Sequence, residues 1–73
     1  MKITPEQLHY ENMELEERII MNMYFKHFRY SEIVSYLGRA GIKYKGRSLK
    51  ESYVIGSIIE SIIKEHSREI DYF

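Results

Sequence analysis

The densest chemistry in this chain is cationic: Lys43, Lys45, Arg47 and Lys50 fall within eight residues, interleaved with Tyr44, Gly46, Ser48 and Leu49. Cations on a turn displace the condensed counterions of a nucleic-acid backbone, and the first amides of a following helix can point at a phosphate. Around this run, residues 26–50 set Lys26, Arg29, Arg39, Lys43, Lys45, Arg47 and Lys50 against Glu32 alone, a local charge of +6. Residues 1–25 and 51–73 each carry −3, so the formal charge of the whole is zero. The competing account of the basic middle is a solvated face that balances the acidic ends within one fold.

Groups for catalysis or metal binding form no local pattern. His9, His27 and His66 are 18 and 39 residues apart, with no second histidine or cysteine at helical spacing, so each reads as surface or core filling. Glu14, Glu16 and Glu17 read as an exposed acidic helix face. Gly56-Ser57 lacks the flanks of a nucleophile elbow, and Gly46 stands outside any nucleotide-binding fingerprint. The expectation is a non-enzymatic protein with no cofactor and no metal.

The elements that must position the basic run can be read from caps and periodicity. With 73 residues, no cysteine and 44% hydrophobic residues, the chain has room for one core and too much apolar content for disorder. Thr4-Pro5-Glu6-Gln7 is a helix start with a capping box, stapled by Ile3 and Leu8. From there to about His27 nothing breaks the chain, and Leu8, Leu15, Ile19 and Met23 recur at helical spacing, with Met13, Ile20, Tyr24, Phe25 and Phe28 widening the apolar face. This predicts one long helix, or two collinear ones broken near Asn12. Ser31 is a candidate cap for a second helix, Glu32 to Ala40, which ends on Gly41 and Ile42 in a Schellman motif. Lys43 to Arg47 form a turn or short wing. Ser48-Leu49-Lys50-Glu51 is a further capping box for a third helix running to about His66 or beyond, with Ile55, Ile58, Ile59, Ile62, Ile63, His66 and Ile70 on its apolar stripe.

The expected fold is therefore an all-α, single three-helix domain over residues 1–73. The longest apolar stretch, Tyr53 to Ile63, is interrupted by Glu60 and is far short of the roughly 20 residues that span a bilayer. With no apolar leader at the N-terminus either, a cytoplasmic location without membrane contact is the default.

Residues 31–59 resemble the helix-turn-helix segment of large serine-recombinase proteins. The carrying residues are Ser31-Glu32-Ile33-Val34-Ser35-Tyr36-Leu37-Gly38-Arg39-Ala40-Gly41-Ile42-Lys43-Tyr44-Lys45-Gly46, then Leu49, Val54 and Ile58-Ile59. In that family a helix ending Leu-Asn-x-x-Gly-Ile leads through a basic loop and a glycine to a DNA-reading helix. Gly38 replaces the family's asparagine and Leu49-Lys50 its Trp-Ser, which leaves Ser48 as the cap of the third helix. The recombinase catalytic domain is missing. The resemblance implies a DNA-binding module with Lys43, Lys45 and Arg47 on phosphates and Lys50, Glu51, Tyr53 and Ser57 on the exposed side of a recognition helix. A small phage- or plasmid-borne regulator suits a chain of this size.

The alternative is a protein-interaction module or inhibitor that docks on a partner through helical apolar surface. Ser52, Gly56 and Glu60 lie on one line of the third helix and Ser57 and Ser61 on the next, and small residues at spacing four admit another helix. Eleven isoleucines and seven tyrosines are a large apolar supply for one small core. A homodimer is therefore expected under either reading. Double-stranded DNA stands ahead of a protein target.

Overall fold

The computed structural model describes residues 3–67. Three helices make the fold: α1, Leu15–Phe25; α2, Tyr30–Ala40; and α3, Tyr53–His66. Each packs on the other two, and the described residues contain no extended sheet. The expectations for Ile70 and the last residues fall outside the described part.

The first helix departs from expectation. The segment before it is two single 3-10 turns, Pro5–Gln7 and Tyr10–Asn12, and the α-helix starts only at Leu15. Thr4 does open the first turn as its N-cap, and Gln7 closes the capping box, the Thr4 amide donating to Gln7 Oε1 at 2.8 Å. The turn stops because Leu8 is wanted elsewhere: it is extended, 2% exposed, and its strand-like backbone lies antiparallel to Ser67 beyond the end of α3. The His9 amide donates to the His66 carbonyl at 2.8 Å in the same strap. Continuous helix would pull Leu8 off the core and forfeit these bonds.

The apolar register of α1 shifts with that start. Met13, Glu17, Ile20 and Met21 are buried, Ile19 and Met23 are half-buried, and Leu15 is 68% exposed. Glu17 therefore leaves the acidic outer face to which the spacing assigned it. Helix α1 ends in a Schellman pair, the Phe28 amide donating to the Met23 carbonyl and the His27 amide to that of Tyr24, with His27 in the left-handed region at φ 68°.

Helix α2 opens two residues before the expected Glu32. Arg29 is the N-cap in place of Ser31, because Glu32 at the third helical position reaches back to accept the Arg29 amide at 2.9 Å. Its end follows the expectation closely. Gly41 sits at φ 69°, its amide donates to the Gly38 carbonyl, and the Ile42 amide donates to that of Leu37 at 2.9 Å. Ile33 and Leu37 of α2 meet Ile55, Ile59 and Ile62 of α3 in the core. Gly56 belongs to this packing, since a β-carbon there would lie 3.4 Å from the Tyr30 ring. Of the line Ser52, Gly56 and Glu60 on α3, Gly56 is thus met by the chain's own second helix, while Ser52 and Glu60 are exposed.

Candidate nucleic-acid interface

The connection from α2 to α3 spans residues 41–52, longer than the roughly 3–4 residues of a tight helix-turn-helix. Its centre is a two-residue β-hairpin. Tyr44 and Arg47 exchange both backbone hydrogen bonds at 2.9 Å, across Lys45 at φ 50° and Gly46 at φ 80°. Two successive positive φ values define a type I′ turn, whose twist matches that of paired strands. The turn aims Lys45 and Gly46 outward while Tyr44 is 9% exposed and anchors the hairpin to the core.

Lys45 lies over the Tyr44 ring, 5.5 Å from its centroid. Burial pushes the Tyr44 phenol above its ordinary value, Lys45 pulls it back, and the carboxylates of Glu17 and Glu65 act with burial. At neutral pH the ring is a neutral floor beneath a cation.

After the hairpin the chain stays irregular through Ser48 to Glu51, carrying Leu49 onto the core, and α3 starts at Tyr53 with Ser52 as its N-cap. Ser48 therefore caps nothing, and Lys50 and Glu51 precede the helix instead of riding on it. The amides of Val54 and Ile55 already donate to the carbonyls of Glu51 and Ser52. An anion at this end of the molecule meets side chains more than free helix amides.

Lys45, Arg47, Lys50 and Ser57 line one open groove of about 720 Å³, floored by Tyr44, Leu49, Val54 and Ile58 with Glu51 on its edge. Lys43 and Tyr53 lie outside that lining, and both are exposed, Tyr53 at 76%. Among the described residues, none of Lys43, Lys45, Arg47 and Lys50 has a carboxylate within 4 Å. The apolar floor was not foreseen as part of the site, although Leu49, Val54 and Ile58 carry the spacing of a helix and its approach packed over a hairpin.

A second groove, about 660 Å³, runs between α1 and α2, with Ile19, Met23, Phe28 and Tyr36 on its apolar side and Glu32 and Arg39 on its rim. Phe28 is 42% and Tyr36 41% exposed. No helix among the described residues is long and apolar enough to cross a membrane. Compared with known proteins, the chain matches no family model, no curated protein and no solved structure.

Proposed function

We propose that this domain is a small, non-catalytic DNA-binding regulator of helix-turn-helix type, with the turn enlarged into a basic hairpin, acting as a homodimer on double-stranded DNA. The observation that carries the reading is the groove beside α3, where Lys45, Arg47 and Lys50 stand without carboxylate partners among the described residues, next to the exposed Ser57. Such cations can hold phosphates on either side of a groove while Tyr53 and Ser57, four residues apart on α3, reach base edges. The glycine turn, basic hairpin and helix follow one another in the order that the recombinase-like pattern implies. Gel retardation of a mixed-sequence duplex tests this directly. A shifted band at low salt, lost at high salt and lost in the triple variant Lys45→Glu, Arg47→Glu, Lys50→Glu, is the expected outcome; no shift for the wild type at low salt contradicts it.

One observation favours the second reading, a module that docks on a protein. Phe28 and Tyr36 leave an apolar groove between α1 and α2 open on the face of those two helices. Under that reading Tyr36→Glu abolishes partner binding and the hairpin substitutions do not.

A further inference from the structure

We propose that Glu17, Glu65 and His66 form a zinc site that ties the start of α1 to the last turn of α3. The inference is independent of the DNA reading. Forty-nine positions separate Glu17 from His66, yet Glu17 Oε1 lies 3.1 Å from His66 Nε2, and Glu65 Oε1 lies 3.6 Å from the same nitrogen. One donor atom from each of the three residues lies within 4.8 Å of the others. Ligand bonds of about 2.0–2.1 Å in a tetrahedron place neighbouring donors roughly 3.4 Å apart, between the two distances measured from the imidazole.

The imidazole itself points to a ligand. His66 Nε2 is shielded from solvent and makes no hydrogen bond among the described residues, its nearest oxygens being Glu17 Oε1 at 3.1 Å and Glu65 Oε1 at 3.6 Å. A shielded, unpaired ring nitrogen beside a carboxylate is costly. A cation on the nitrogen's axis, flanked by the two carboxylates, satisfies all three. The Glu17 carboxylate is 4% exposed and is held by the Glu14 amide, which donates to Oε1 at 2.9 Å. That contact fixes the ligand's orientation as outer-shell hydrogen bonds do in metal sites.

Charge and donor type select the ion. Two carboxylates and one neutral imidazole balance a divalent cation, and one nitrogen with two oxygens, all within 4.8 Å of one another, suits zinc, whereas calcium takes six to eight oxygens. Glu65 is 54% exposed, so the fourth position opens on its side and a water completes the shell. The site lies where His66 also accepts the His9 amide, so the metal would lock the strap that fastens the N-terminal segment to α3. For a small domain without cysteine, it supplies the crosslink that disulfides provide elsewhere.

The test is calorimetric titration of zinc chloride into chelator-stripped full chain, with thermal melting in parallel and magnesium and calcium chlorides as comparison ions. One zinc per chain is expected, with Tm raised by roughly 10 °C at free zinc a hundredfold above Kd. Glu65→Gln, on an exposed side chain, should leave the metal-free Tm near that of the wild type and weaken zinc binding about tenfold or more; His66→Gln should abolish it, and His9→Gln should change nothing. Absence of zinc heat and of a zinc-dependent Tm, equal binding of magnesium, or zinc affinity unchanged by Glu65→Gln would each overturn the site.

Discussion

His27 and Lys45 adopt positive φ, 68° and 50°, where an L side chain strains its own backbone. Each stands where glycine or asparagine relieves that strain. His27→Gly at the end of α1 should therefore stabilise the domain by about 0.5–1 kcal/mol, a Tm rise of a few degrees. Gly41 and Gly46 sit at 69° and 80° with open space around them, so substitution there is opposed by backbone conformation and not by crowding. Gly41→Val should cost about 2 kcal/mol and Gly46→Ala about 1, read from urea unfolding. Gly41 was legible because glycine followed by isoleucine after a helical run is a Schellman signature. Gly46 was legible only as loop, since the I′ turn depends on Lys45 sharing its positive φ.

Helices α2 and α3 could be read from the sequence because their isoleucines and leucines repeat at three and four, and all of Ile33, Leu37, Ile55, Ile59 and Ile62 are buried. Helix α1 misled for a physical reason. Leu15, Ile19 and Met23 form a plausible stripe, and Met13 and Ile20 on its flank are indeed buried, but Leu8 and Met13 enter the core from outside the helix, and the stripe that faces it takes in Glu17 and Met21 in place of Leu15. A polar residue on that inner stripe disguises it: Glu17 closes the capping box on the Glu14 amide and meets the distant His66, 3.1 Å away. Met21→Ala should cost about 2–4 kcal/mol while Leu15→Ala changes stability by less than about 0.5, a contrast that chemical denaturation can measure and that the alternative stripe would reverse. The late start of α3 has a similar origin: a Ser-x-x-Glu capping pattern at Ser48 loses to the packing of Leu49 on the core.

At the scale of the molecule, the division of charge legible in the sequence becomes a surface in which Lys26, Arg29, Arg39 and the hairpin cations are all exposed. The homodimer proposed above would place its seam on the open groove of Phe28 and Tyr36, and under that proposal sedimentation at micromolar concentration should report a dimer that Tyr36→Glu converts to monomer. What pairing of elements the hairpin would bring about was not legible, because Tyr44's anchoring beside Glu17 and Glu65 joins three distant parts of the chain. The central claim, that the exposed cations of the hairpin groove bind the DNA backbone, is tested most directly by the salt dependence of duplex affinity. With Lys45, Arg47 and Lys50 on phosphates, log K should fall with log salt at a slope of about −2.7, and each single alanine variant should make it shallower by about 0.9. A slope near zero, or one that none of the three substitutions changes, would contradict the account.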